Sequence, residues 1–289
     1  MRNVDEDSIT QIVLARHARA QDARLRQLMT GIVQHLHAFA RDVELTEEEW
    51  FKGIEFLTEV GHITDDKRQE FILLSDTLGL SMLVTALNHR KPAGCTESTV
   101  FGPFFVENAP HYQNGDDVGN GAKGEPCFVS GKVTGLAGEP IANARIEVWQ
   151  ADSDGFYDVQ YEGEAASKGR GMLHSLPDGT FHFRSITAES YPIPHDGPVG
   201  RMLQALGRHP WRPAHLHFMI EAPGYERLIT HVFRSGDQYL DSDAVFGVRS
   251  SLIADWERHE SGAAPDGTTM DTPFSTLNFT FVLNRVDGA

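Results

Sequence analysis

The sequence predicts an α+β chain: a helical domain over residues 1–94, followed by a β-sandwich with long loops over residues 95–289. Three observations carry this reading. Apolar residues recur at helical spacing up to about residue 90, the stretch HRKPAG (89–94) punctuates the chain, and beyond it the period falls to two in short β-branched and aromatic runs. With 289 residues and 40% hydrophobic content, the chain can bury one large core or two modest ones.

Taken in order, Leu25, Met29, Ile32, Val33, Leu36 and Phe39 place one apolar stripe on a helix from about Asp22 to Asp42. Thr46 and Glu49 form a capping box ahead of Trp50, Phe51, Ile54, Phe56 and Leu57, and a longer helix is predicted from about Asp66 to Asn88, giving about four helices. Strands are predicted over 128–133, 144–150, 180–186, 214–222, 227–233 and 275–283, divided by turn signals such as Asp178-Gly179. No internal repeat or low-complexity tract is visible.

Composition narrows the function. Lys+Arg 25 against Asp+Glu 41 gives a formal charge of −16, which opposes a nucleic-acid backbone or an anionic membrane surface and favours a small molecule or a protein as partner. No stretch approaches the ~20 apolar residues of a bilayer span, and MRNVDEDSIT lacks the basic and apolar regions of a secretion signal, so a cytoplasmic location is expected. Cys95 and Cys127 have no metal-like spacing. A bound metal would therefore use His, Tyr or carboxylates.

The tripeptide HLH occurs twice, at 35–37 and 215–217. On a helix His35 and His37 stand about 200° apart and cannot easily share one ion. On a strand His215 and His217 point to the same face, which suits a metal. From the tripeptide alone, a metal site and a satisfied pair of core histidines are equally open. A facial-triad Fe(II) site would show His-x-Asp or His-x-Glu, and no histidine has an acid two positions later. A zinc-protease HExxH is absent too, since His259-Glu260 runs into SGA. A cupin-like reading with Glu221 is weakened because that residue opens the turn EAPG.

Two tyrosines extend the set. Tyr157 in GFYD follows the strand ending at Gln150, and Tyr191 in SYPIP follows the strand ending near Ile186. Tyrosinate with imidazole is a chemically sound shell for Fe(III), a hard ion that favours anionic oxygen.

GFYD, SYPIP and RPAHLH in this order, with TVFGPF (99–104) at the junction, resemble the intradiol ring-cleavage dioxygenases over nearly the whole chain. The nearer branch is the one acting on hydroxyquinol, with catechol or chlorocatechol as alternatives. The resemblance implies one Fe(III) per subunit on Tyr157, Tyr191, His215 and His217, in a catalytic sandwich, within a homodimer built through the helical domain. It implies that an ortho-diphenol chelates the iron and is opened by O2 between its hydroxyl-bearing carbons to a muconate-type dicarboxylate. Tyr191 would take one substrate proton, Arg212 would stabilise developing negative charge, and Gln238 would hydrogen-bond near the iron. A substrate pocket of Leu73, Asp76, Val100, Phe101, Gly102, Pro103, Phe104, Ile193, Pro194, Arg212 and Val245 follows from the same resemblance, as does a possible lipid chain at the dimer interface. Asp76 would accept a hydrogen bond from a third substrate hydroxyl. A different class stays open: VSGKVTGLAGEPIANARIEVW also resembles non-catalytic sandwich domains of the transthyretin-like and carboxypeptidase-associated kinds.

Overall fold

The computed structural model describes residues 3–65, 68–161 and 167–286. These divide into two compact units, Met1–His62 and Ile63–Ala289. The first holds α1 (Ile9–His17), α2 (Ala23–Asp42) and nearly all of α3 (Glu47–Ile63). Asp22 caps α2 by accepting the Arg24 and Leu25 amides at 2.8 and 3.0 Å. The Thr46–Glu49 capping box is formed in both directions. Arg41 ties α2 to the turn before α1 through the Glu6 carbonyl and to α1 through the Thr10 hydroxyl. The apolar stripe of α2 exists as predicted but no core covers it: Leu25, Met29, Ile32, Leu36 and Phe39 are exposed, as are Trp50, Phe51, Ile54 and Leu57 on α3.

The second unit opens with α4 (Glu70–Thr77) and α5 (Leu80–Asn88). These replace the single long helix expected there, whose start at Asp66 lies outside the described residues. The break is at Gly79, which has φ +76°, and the two helices are bent by 78°. A left-handed residue with its amide on the Asp76 carbonyl ends α4, and glycine adopts that conformation at least cost. Both helices belong to the sandwich unit, so the compact units part about thirty residues before the boundary read at Gly94. Among the described residues no single helix is long and apolar enough to cross a membrane.

The strands are β1 (Pro126–Gly135), β2 (Arg145–Trp149), β3 (Arg170–His174), β4 (Thr180–Ile186), β5 (Tyr191–Pro192), β6 (Trp211–Arg212), β7 (His215–Glu221), β8 (Leu228–Arg234), β9 (Ile253–Ala254), β10 (Trp256–His259), β11 (Gly262–Ala263), β12 (Thr269–Met270) and β13 (Phe274–Leu283). Two sheets form the sandwich, one ordered β10-β13-β1-β4 and the other β3-β2-β7-β8-β9. The first pairs β1 with β13 in parallel and with β4 antiparallel. Between the sheets lies one core, with Ile146 and Val148 of β2, Leu216, Phe218 and Ile220 of β7, and Val232 of β8 facing Val129, Val133, Phe181, Phe183, Leu277 and Phe281. Alternation then sends Trp149, His215, His217, His231 and Phe233 to the opposite face of the second sheet, where they are also buried. A helix α6 (Pro198–Ala205), not anticipated in the sandwich half, follows β5.

Candidate metal centre

The residues between β6 and β7 bring the site together. Pro213 cannot continue a ladder, and the chain turns there: Arg212 pairs with Tyr191 in the small β5–β6 ribbon, while His215 opens β7. The bend at Pro213 aims the Arg212 guanidinium back at His215, with Nη1 3.3 Å from Nε2. Tyr157 arrives from the loop after β2. That loop is held by Asp152, whose Oδ1 accepts the amides of Asp154 and Phe156, and by the buried Arg170–Asp158 ion pair at 2.6 Å. Phe104 stacks on the Tyr157 ring at 4.4 Å.

Four donor atoms converge. Tyr157 Oη lies 3.1 Å from Tyr191 Oη and 2.9 Å from His217 Nε2, and His215 Nε2 lies 3.2 Å from His217 Nε2. All four side chains are buried. His215 Nδ1 donates to the Pro213 carbonyl at 2.7 Å, which leaves Nε2 as a bare lone pair directed at the cluster. Burial, followed by the Arg212 charge, lowers the pKa of His215 to about 3, so the ring is neutral as a metal ligand requires. His217 is held well below its ordinary value by burial and by His215. Burial and the neighbouring Tyr191 push the Tyr157 phenol well above 10. Two buried phenols and two neutral imidazoles packed this closely fit one cation: ligands about 2 Å from an ion stand about 3 Å apart, and the ion would supply the charge that makes the phenolates stable.

Around this cluster, Trp149 stacks on His217 at 4.6 Å. Gly102 has φ +79°, and a Cβ there would stand 3.2 Å from His217 Cε1, so glycine lets the backbone lie against that ring at least cost. Burial opposes the charge on Arg212, yet Asp243 keeps the guanidinium fully protonated through bonds of 3.1 and 3.3 Å. Asp243 in turn accepts the Val245 and Gly247 amides. Asp76 is buried within electrostatic reach of Arg212 and Asp243, and burial raises its pKa. Leu73, Val100, Phe104, Ile193 and Val245 are buried, Pro194 is partly buried, and Phe101 and Pro103 are exposed.

Gln238 is placed elsewhere. It is exposed in the turn after β8 and makes none of the hydrogen bonds of the cluster. The residue that occupies this neighbourhood is His231, paired across the strands with His217, and a nitrogen of its ring lies within 4.8 Å of those of His215 and His217. The signal was available in LITHVF: residues 229, 231 and 233 share one face, and antiparallel register sets that face beside His217.

A family model described as Catechol dioxygenase N terminus matches residues 22–96, and one described as Dioxygenase matches residues 100–285. The chain belongs to the intradiol ring-cleavage dioxygenase family. Among similar dioxygenases, the 6-chlorohydroxyquinol 1,2-dioxygenase of Cupriavidus pinatubonensis is 63% identical over 98% of this chain and 99% of its own. The hydroxyquinol 1,2-dioxygenase of Nocardioides simplex is 53% identical over 96% and 95%. The crystal structure of the hydroxyquinol 1,2-dioxygenase from Pseudomonas putida superimposes with a TM-score of 0.91 at 46% identity, covering 97% of this chain and 99% of that one. Membership of a dioxygenase family removes the non-catalytic sandwich module from consideration.

Proposed function

We propose that this intradiol dioxygenase opens hydroxyquinol between its adjacent hydroxyl-bearing carbons with O2, at one Fe(III) ion held by Tyr157, Tyr191, His215 and His217. The observation that carries the reading is the convergence of two phenol oxygens and two neutral imidazole nitrogens, 2.9–3.2 Å apart in sequence around the cluster, in a buried site. The names of the relatives support the substrate class, since two of them act on hydroxyquinols. When bound, Fe(III) would supply the Lewis acidity that favours the ionised diphenol and makes its ring reactive toward O2.

The chain's own residues then divide the work. Tyr191, whose backbone pairs with Arg212 across the β5–β6 ribbon and whose Oη is hydrogen-bonded to that of Tyr157, accepts a substrate proton. Arg212, fixed by Asp243, offers a permanent positive charge to the electron-rich ring and to the carboxylates that form. Val100, Phe104, Ile193 and Val245 form apolar walls that keep water from the opened ring. Asp76 accepts the hydrogen bond of a third hydroxyl. A second copy of the chain is the partner we propose for the exposed stripe of α2 and α3, with a lipid chain as a further occupant of that apolar surface.

Tyr157→Phe tests the ligand set. It keeps the ring volume and removes one anionic oxygen, so the purified variant should lose iron or the visible tyrosinate-to-iron band while its melting behaviour stays close to that of the parent. An unchanged iron content and spectrum would remove Tyr157 from the set.

A further inference from the structure

The sandwich face that carries the site holds a histidine that the four-ligand reading leaves unused. His231 is wholly buried in β8, its ring 4.1 Å from that of His217 at 84° and 4.7 Å from that of His215. Its Nδ1 is 2.9 Å from the Thr99 hydroxyl, whereas its Nε2 is buried with no protein partner. Thr99 is itself pinned beside β8: its amide donates to the Ile229 carbonyl at 3.0 Å, and Thr230 holds the preceding Glu97 carbonyl at 2.8 Å.

This geometry decides the tautomer. The Thr99 hydroxyl proton has His231 Nδ1 as its one hydrogen-bond partner among the described residues. If Nδ1 carried the proton, it would donate to that hydroxyl and leave the hydroxyl proton orphaned in the interior, which is destabilising. Thr99 therefore donates to Nδ1, and Nε2 bears the hydrogen. An Nε2–H cannot ligate a metal, so His231 is not a fifth protein ligand. It is a buried donor without a protein acceptor, beside a cluster that fits one cation.

We propose that His231 binds the substrate directly, donating its Nε2–H to a phenolate oxygen of the ortho-diphenol, with Thr99 as the positioning residue that sets its tautomer. The proposal rests on the four-ligand reading of the iron site. A hydrogen bond to a charged group also favours the ionised form of the substrate, so His231 acts on the protonation state of the bound diphenol as well as on its affinity.

The test uses the iron-loaded protein under anaerobic conditions, with 4-nitrocatechol as a chromogenic ortho-diphenol whose absorption reports its ionisation. His231→Leu, His231→Gln and Thr99→Val are compared with the parent for iron content, for melting temperature without iron, and for the dissociation constant and spectrum of the bound probe. All three should retain the parent's iron content. His231→Leu should weaken the probe about tenfold or more and shift its spectrum toward the monoanion. His231→Gln, which restores an N–H donor, should recover most of both, and Thr99→Val should fall between. Unchanged affinity and spectrum in His231→Leu would make the ring a packing element only, and loss of iron in that variant would make it a ligand; either overturns the proposal. Should His231→Leu not fold, Thr99→Val decides, because parental affinity there removes the tautomer lock. A parent protein that takes up no iron would defeat the four-ligand reading itself, an outcome distinct from failure of the His231 role.

Discussion

Arg212 shows how one side chain can serve both the fold and the chemistry. Its charge is buried with that of Asp243, so removing it strands a carboxylate in the interior. Breaking such a pair costs about 3–5 kcal/mol. Arg212→Leu should therefore lower the melting temperature as well as turnover, and Arg212→Leu combined with Asp243→Asn should regain much of the stability while staying slow. A double variant that regains turnover would remove Arg212 from catalysis. At Asp76, burial makes an unpaired acceptor costly. Asp76→Ala should reduce kcat/KM for hydroxyquinol more than for catechol; equal losses would show a role confined to the fold. The cluster of Tyr157, Tyr191, His215 and His217 was legible because chain order and strand parity both point to it. His231 showed in the strand parity of LITHVF, but its pairing with Thr99 did not, because Thr99 lies more than a hundred positions away and only the folded register brings them together.

Among the elements, β1, β2, β4, β7, β8 and β13 were legible in the sequence, since each has one face in the inter-sheet core and shows an apolar period of two. β3 was not: it is a short strand, RGMLH, whose Gly171 is demanded by a ring, as a Cβ there would stand 2.6 Å from Tyr112. α6 was hidden by its glycine and proline content and its length of eight residues. The break between α4 and α5 was missed because the apolar period continues through Gly79 while the backbone does not. Gly79→Ala should destabilise the sandwich unit by about 1 kcal/mol, the cost of a side chain at φ +76°. A melting temperature at or above the parent's would show that the helix junction relaxes freely.

For the whole molecule, three buried histidines make the iron-free protein sensitive to acid. His215 falls from an ordinary 6.5 to about 3, and His217 and His231 also lie well below 6.5. Above pH 6.5 folded and unfolded states are both neutral at these rings, and stability is unaffected. As the pH falls below 6.5 the unfolded chain takes up protons that the folded chain refuses, so each ring removes up to about 1.4 kcal/mol per pH unit until the folded value is reached. Asp243, with a lowered folded pKa, keeps its contribution until below 3.8 and adds nothing in this window. Iron-free protein should thus melt at a clearly lower temperature at pH 5.5 than at pH 7.5, and equal melting at both would show that the rings are protonated in the fold.

The parallel pairing of β1 with β13 has a consequence for biosynthesis. Residues Cys127 to Gly135 find their partners only at Ser275 to Leu283, so one sheet keeps an open edge until nearly the whole chain has left the ribosome. Tyr157, Tyr191, His215 and His217 all emerge earlier. The hydrophobic backing of β7 is incomplete at that stage, since Leu277 and Phe281 have yet to arrive. Closure of the core behind the face that carries His215 and His217 thereby waits for the longest sequence separation in the sheet to be bridged.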